Sequence, residues 1–301
     1  MYDQISSNKR RSFLLIAGFV LLVALVGVAV NQLIGYGPVG IVIAVLFAGG
    51  TAFVSYWKSD AIALAVSRAQ PADPQTYRRL YNLVEGLCIA GGLPQPKIYI
   101  VDDPAPNAFA TGRNPQHASI AVTTGLLHLM NRVELEGVLA HELSHIKNYD
   151  VLVSTLAVTM VGAVAVVSDV VIRMMWWNGG RTRREGDRND GNNPLALLGF
   201  VLLLVAPIIG KVLQLAVSRR RESLADVSAV MLTRYPPGLI SALEKLKADN
   251  TITHSASRAT AHLWIEQPVP MQADEGRLSW INKMFETHPP LDDRIAALRE
   301  L

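Results

Sequence analysis

The sequence predicts a mainly α-helical membrane protein with four transmembrane helices and one α+β domain that contains a small sheet. Three observations lead to this fold class. Of the 301 residues, 50% are hydrophobic and 18% are charged, whereas about a quarter are charged in ordinary soluble domains. The apolar residues are concentrated in four blocks. The rest of the chain has helix- and strand-type patterns and is long enough for about one soluble domain.

The four blocks run from Phe13 to Val30, from about Pro38 to Val54, from Val151 to Ser168 and from about Leu195 to Gly210. Each is near the lower limit of about 17–25 residues for a transmembrane helix, and segments this apolar must be helical if they span. A signal peptide is the alternative for the first block. The second block follows after a short turn without a cleavage-type sequence, which favours a retained hairpin. The predicted organisation is therefore a hairpin (1–57), a soluble part (58–150), a second membrane pair (151–217) and a soluble C-terminal part (218–301).

Basic residues beside the blocks predict the orientation. They lie before the first block, after the second and after the fourth, at Lys9, Arg10, Arg11, Lys58 and 219–221. By the positive-inside rule these flanks face the cytoplasm. The loop at 179–193 carries four arginines and disagrees in part. Charged residues also trail the last two blocks, so these helices are expected to extend beyond the bilayer or to lie partly against the soluble domain.

A metal-ligating motif lies on a helix predicted at Glu134–Tyr149. His141 and His145 are four residues apart, so both rings project from one face of the helix. Two imidazoles placed in this way can bind one zinc ion. Glu142 follows the first of them and is placed to act as general base on a water molecule acidified by the metal. The alternative is a chance match, which the helical context and an available third ligand make less plausible.

The best candidate for the third ligand is Glu222, because a catalytic zinc normally keeps three protein ligands and one open position. Asp226 lies one helical turn further on and is placed to orient a ligating histidine by hydrogen bonding. The alternative is a solvated cluster of charges with the preceding arginines. Two predicted spans separate His145 from Glu222, and this even number returns the chain to the same side of the membrane.

These residues resemble the HtpX-like membrane metalloproteases, which are related to the CAAX-prenyl peptidases of the Ste24 type. The resemblance covers nearly the whole chain: two apolar spans, a soluble segment, His-Glu-Leu-Ser-His, two more spans and Arg-Arg-Glu-Ser-Leu-Ala-Asp at 220–226. Two further motifs fit, Asn107–Gly112 and Thr287–Pro290. One departure is Ser223, where the family commonly has an aromatic residue.

The resemblance implies a zincin-like metalloprotease domain. It implies one Zn²⁺ on His141, His145 and Glu222, with Glu142 as base and Asp226 supporting a histidine ligand. It also implies that His288 lies near the substrate carbonyl as a donor to the oxyanion. Substrate backbone is expected to dock on an edge strand formed by Asn107, Ala108, Phe109, Ala110 and Thr111.

Local patterns predict the other elements of the soluble part. We expect helices at Thr76–Ile89 and Leu291–Leu301 and strands at Lys97–Val101 and Ala118–Val122. Asn148–Asp150 separate the motif from the third block, which places the metal at the membrane surface. The net charge of +3 and the lack of a basic, aromatic-interleaved stretch argue against nucleic acid.

Three functions remain open at this point. The leading one is a zinc endopeptidase of the cytoplasmic (inner) membrane that cleaves misfolded or membrane-associated proteins, as in stress-related quality control. A narrower one is removal of a tripeptide from prenylated C-termini, for which four spans are too few. The third is a non-catalytic scaffold with a structural zinc, which would not need Glu142. The expected partners are unfolded or membrane proteins and the lipid bilayer, and oligomeric state is left open.

Overall fold

The computed structural model describes residues 2–34, 37–157, 219–249, 251, 253, 255, 260, 263–265 and 289–301. Its helices are α1 (Tyr2–Ile34), α2 (Gly37–Val66), α3 (Arg78–Gly91), α4 (Thr124–Leu129), α5 (Arg132–Lys147), α6 (Arg219–Thr233), α7 (Pro236–Ala248) and α8 (Leu291–Arg299). Residues 150–157 are also helical. The strands are β1 (Gln70–Pro71), β2 (Lys97–Val101), β3 (Ala108–Asn114) and β4 (His117–Thr123).

The strands form one small mixed sheet in the order β1-β2-β4-β3. The pairs β1–β2 and β3–β4 are antiparallel, and β2–β4 is parallel. Residues on β2, β3 and β4 share a buried apolar cluster with α3, α5 and α7. The helical domain with a small sheet is therefore confirmed. The predicted ends of the elements at 76–89, 97–101, 107–111, 118–122, 134–149 and 291–301 differ by at most three residues from those of α3, β2, β3, β4, α5 and α8. Local patterns did not indicate α4 or α7.

The start of α5 is fixed by a capping box. The side chain of Asn131 accepts from the Glu134 backbone N–H, and the Glu134 carboxylate accepts from the Asn131 N–H at 2.8 Å. The same carboxylate accepts from Ser241 Oγ and Lys245 Nζ of α7, both at 2.7 Å. Reciprocal capping satisfies two backbone groups that a helix end otherwise leaves open. One buried carboxylate thus defines where α5 begins and attaches it to α7.

A glycine allows α5 and α7 to approach closely. A Cβ added at Gly137 would lie 2.9 Å from both the Cα and the N of Leu239. Contacts that short with backbone atoms require a shift of one helix. Gly137 therefore sets the spacing of the helix that carries the histidines.

The first two apolar blocks lie on α1 and α2. Many of their large apolar side chains are exposed, at Phe13, Leu14, Leu21, Val39, Val42, Ile43, Val45, Leu46, Phe47, Phe53 and Val54. On the other side, Leu15, Phe19 and Ala52 pack against residues of 152–157.

No helix among the described residues is both long enough and apolar enough to cross a membrane. The fourth block and most of the third lie outside those residues. The four spans and the domain limits at 57, 150 and 217 therefore stay predictions.

Candidate metal centre

The two histidines of α5 face each other across one helical turn. The side chain of His141 is buried, at 1% exposure, and that of His145 is partly exposed, at 15%. The rings meet edge to face, and the two Nε2 atoms are 3.1 Å apart. The i, i+4 spacing on one helix face predicted this arrangement, and the structure confirms the placement.

Glu222 of α6 completes a group of three donors. One carboxylate oxygen lies 3.6 Å from Nε2 of His141, and the other lies 3.6 Å from Nε2 of His145. The ligand atoms of all three residues lie within 4.8 Å of one another. The solvated-cluster alternative for Glu222 is therefore wrong: the side chain is buried and turns toward the histidines. Ser223, the departure from the family pattern, is exposed on the other side of α6.

His141 is held by an ion pair from the C-terminal half of the chain. Its Nδ1 lies 2.9 Å from Asp226 Oδ1. Asp226 accepts two hydrogen bonds from Arg294 of α8, from Nε at 2.9 Å and from Nη2 at 2.7 Å. Arg294 Nη2 is also 3.4 Å from His141 Nδ1, but a guanidinium has no acceptor, so the ring proton goes to Asp226. The predicted role of Asp226 beside a histidine agrees with this geometry.

His145 has a carboxylate partner of its own, Asp150, a residue that the sequence indicated only as part of the segment between the motif and the third apolar block. Its Nδ1 lies 3.2 Å from Asp150 Oδ2. The other oxygen of Asp150 accepts from Nδ2 of Asn8 at 2.6 Å. The signal that could have indicated Asp150 is a carboxylate five residues after a motif histidine, directly before an apolar block. No local pattern indicates Asn8 or Arg294.

The donor set fits a divalent metal ion. Each Nδ1 faces a carboxylate, so the two Nε2 atoms face each other at 3.1 Å and can hold a cation, either a proton or a metal ion, between them. Two tetrahedral zinc ligands, each about 2.0–2.1 Å from the ion, lie about 3.3 Å apart. The observed separations of 3.1, 3.6 and 3.6 Å bracket that value.

The field at the site favours positive charge. Burial by itself lowers the pKa of His141, but the carboxylates of Asp226 and Glu222 outweigh burial and raise it to about 9. Burial likewise opposes a rise in the pKa of His145, which Glu222 and Asp150 nevertheless produce. Burial raises the pKa of Asp226, but Arg294 and His141 bring it below its usual value. Buried carboxylates that remain ionised attract either a proton or a metal ion to the histidines.

Glu142 is buried at 2% exposure. Burial lowers the pKa of Arg294, but the carboxylates of Asp226 and Glu222, and to a smaller extent that of Glu142, raise it above its ordinary value. A carboxylate next to the first histidine and in a buried site can serve in proton transfer. His288 lies outside the described residues, so its role stays a prediction.

The predicted substrate strand is present and is at the edge of the described sheet. Its backbone is partly engaged: Ala108 O accepts from Ile265 N at 2.9 Å, and Gly112 N donates to Thr155 Oγ1 at 3.3 Å. The ring of Trp264 packs on Phe109, with centroids 4.6 Å apart. Ala110 lies midway between these two contacts. β3 also packs against α5, so the strand is close to the helix that carries the histidines.

A helix-borne His-Glu-x-x-His pair, a glutamate from a second helix and a small adjacent sheet define a metalloprotease. Residues 74–301 match peptidase family M48, and the chain belongs to that family.

Two relatives from the sequence comparison are described as proteases. "Protease HtpX homolog" of Tropheryma whipplei (strain Twist) is 44% identical over 100% of this chain and 98% of its own length. The protein of the same description from Dictyoglomus turgidum is 43% identical over 99% and 94%. The crystal structure of S. mikatae Ste24p matches with a TM-score of 0.48 and 16% identity, over 99% of this chain and 67% of that one.

Proposed function

We propose that this chain is a zinc endopeptidase of the cytoplasmic membrane that hydrolyses misfolded or membrane-associated proteins. The observation that carries the proposal is the convergence of His141, His145 and Glu222, with the outer nitrogen of each histidine held by its own carboxylate. His₂Glu sets of this kind occur in zinc peptidases, where one metal position stays open.

His141, His145 and Glu222 would hold the metal, and zinc bound there would supply Lewis-acid chemistry at the scissile carbonyl. The Glu142 carboxylate takes the proton of the attacking water and returns it to the leaving amine nitrogen. Asp226 and Asp150 keep the two rings in the tautomer that leaves Nε2 free to bind. His288 is proposed as a donor to the developing oxyanion, on the resemblance alone.

Substrate is proposed to dock as an extended strand beside β3, near Ala110. An added strand gains affinity from backbone hydrogen bonds and so accepts many sequences. That tolerance suits unfolded proteins. Because Ile265 and Thr155 contact the two ends of this edge, the stretch between those contacts is proposed to accommodate only a few substrate residues.

The membrane location is supported by the exposed apolar side chains of α1 and α2. Large contiguous apolar surfaces are unusual on monomeric soluble proteins and mark sites of interaction with membranes or proteins. The exposed basic residues Lys9, Arg10 and Lys58 support a cytoplasmic position of the metal centre.

The test of the reaction uses the full chain in detergent, stripped with a chelator and then given zinc. Cleavage of an unfolded protein is compared between the parent, Glu142→Gln and Glu136→Gln, which alters a half-buried glutamate of the same helix. We expect zinc-dependent cleavage in the parent and in Glu136→Gln. Glu142→Gln should bind zinc equally but lose about 10²–10⁴-fold in rate. Equal rates in the two variants, or zinc binding without cleavage in the parent, would contradict the proposal.

The location has its own test. Cys88 is the single cysteine and is buried, so Cys88→Ser combined with Ser6→Cys gives one exposed reporter in α1. We expect the chain to stay in the membrane fraction under alkaline extraction. A membrane-impermeant maleimide should label inverted vesicles and leave intact cells unlabelled. Labelling of intact cells would reverse the proposed orientation.

A further inference from the structure

Asn8 of α1 is a fully buried polar residue, at 0% exposure. Its Nδ2 donates to the backbone oxygen of Asn148 at 2.8 Å and to Oδ1 of Asp150 at 2.6 Å. Both partners are acceptors, so the amide nitrogen and not the amide oxygen must face them. Asn8 therefore uses both of its amide protons on two of the three residues that follow α5, Asn148 and Asp150.

The contact continues to the metal centre through one side chain. Oδ1 of Asp150 accepts the hydrogen bond from Asn8, and Oδ2 of the same carboxylate lies 3.2 Å from Nδ1 of His145. Arg221 Nε is 3.7 Å from the same Oδ1, which adds positive charge but is longer than a hydrogen bond. A carboxylate can turn about its last bond, and a donor on one oxygen fixes the direction of the other.

Two other contacts attach α1 to the same segment. Lys9 Nζ lies over the ring of Tyr149, 4.6 Å from its centroid. Leu15 and Phe19 are buried against Leu152, Val153 and Leu156. Tyr149 adopts a positive φ of 61°, so the chain turns sharply between α5 and the helical residues 150–157. α1 packs along this turn, and the packing holds Asn8 in place.

We propose that Asn8 is a positioning residue of the metal centre, which acts through Asp150 to orient His145, so that the N-terminal helix supports one of the metal ligands. This inference rests on the proposed function, because it concerns the affinity of the same histidine for metal. Groups that orient a ligand typically change metal affinity by about 10–100-fold when they are removed. A purely structural Asn8 would affect unfolding of the chain but not the metal affinity of the folded protein.

The first test measures the zinc dissociation constant of the full chain in detergent by competition with a chromogenic chelator. The variants are Asn8→Ala, Asn8→Asp and Ser6→Ala, the last at an exposed position of the same helix. We expect Ser6→Ala to equal the parent and Asn8→Ala to bind zinc about tenfold more weakly. Asn8→Asp keeps the size but turns a carboxylate toward Asp150, and it should lose at least as much. Parent-like affinity in folded Asn8→Ala or Asn8→Asp overturns the inference.

The second test asks whether the effect passes through Asp150. Zinc affinity is measured for Asn8→Ala, Asp150→Ala and the double variant, with thermal unfolding recorded for each. We expect the double variant to bind zinc as Asp150→Ala does, because Asn8 has nothing left to orient. Losses that add would overturn the inference. A parent that binds no zinc would instead overturn the proposed function, and this inference with it.

Discussion

His141 and His145 are one helical turn apart on α5, but opposite ends of the chain hold them. Asp226 and Arg294, on the C-terminal side, hold His141 through a buried and fully charged pair. Asp150 and Asn8, on the N-terminal side, hold His145 through a carboxylate and a neutral amide. His141 is at 1% exposure, whereas His145 is at 15%.

This difference between the charged partners of His141 and the partly neutral partners of His145 indicates which of the two sets tolerates substitution better. Removing one member of a buried ion pair leaves an uncompensated charge, which costs more than the loss of a neutral donor. Water can also reach the partly exposed His145 side more readily than the closed His141 side. We therefore expect the C-terminal side to govern stability, and both sides to govern metal affinity.

Arg294→Ala should have the largest effect, because it leaves the buried carboxylate of Asp226 without its guanidinium partner. We expect a loss of about 3–5 kcal/mol in the free energy of unfolding, measured by chemical or thermal unfolding of the metal-free chain. Arg299→Ala on the same helix is the matched control, since its pair with Glu244 is exposed on both sides and such pairs contribute about 0–1 kcal/mol. Equal losses would contradict the contrast between buried and exposed pairs.

Asp226→Asn and Asp150→Asn compare the two histidines directly. Each should weaken zinc binding within the range of about 10–100-fold, and Asp226→Asn should weaken it more. The reason is that His141, at 1% exposure, is less accessible than His145, at 15%, to water that could replace the lost carboxylate. Chelator competition gives both dissociation constants. A larger loss in Asp150→Asn would break the comparison.

Gly137→Ala tests whether the close packing of α5 on α7 contributes to stability, as the contacts of His141 with the C-terminal part of the chain do. A new Cβ would meet the backbone of Leu239 at 2.9 Å, and overpacking of this kind costs about 1–3 kcal/mol. Gly86→Ala in α3 is the control, because nothing lies within 4 Å of its added Cβ. Alanine should stabilise that helix by about 0.5–1 kcal/mol. Thermal unfolding separates the two, and a neutral Gly137→Ala would show that the helices can shift apart freely.

The smallest predicted effect concerns the start of α5 and depends on pH. Burial by itself raises the pKa of Glu134, but hydrogen bonds from Lys245 and Ser241 bring it below its ordinary value. A depressed carboxylate pKa stabilises the fold above the unfolded value of about 4.3. That contribution is lost as the pH falls through the lower folded value.

Glu134→Gln should therefore be less stable than the parent by about 1–2 kcal/mol at pH 7. The difference should shrink below about pH 4. Unfolding curves of both proteins at several pH values measure it. A difference that stays constant down to low pH would show that the charge of Glu134 does not contribute.

Much of the site could be read from local spacing. His141 and His145 at i, i+4, and Glu222 and Asp226 at the same interval, share helix faces whatever the rest of the chain does. The need for a third ligand and the even number of predicted spans joined these two local pairs into one metal centre, the family resemblance implied the same set, and the structure brings them together. The four spans and the role of His288 stay predictions.

The sequence by itself determined the helix that carries the histidines, its neighbouring strands and the donor residues, because each follows from periodicity within a few residues. Only the tertiary structure decided which residues orient the donors. Asn8 reaches Asp150 across 142 positions and Arg294 reaches Asp226 across 68. Contacts between residues so far apart leave no local pattern, since they depend on how whole helices pack. The packing of α1 and α8 therefore decides how the two histidines are held.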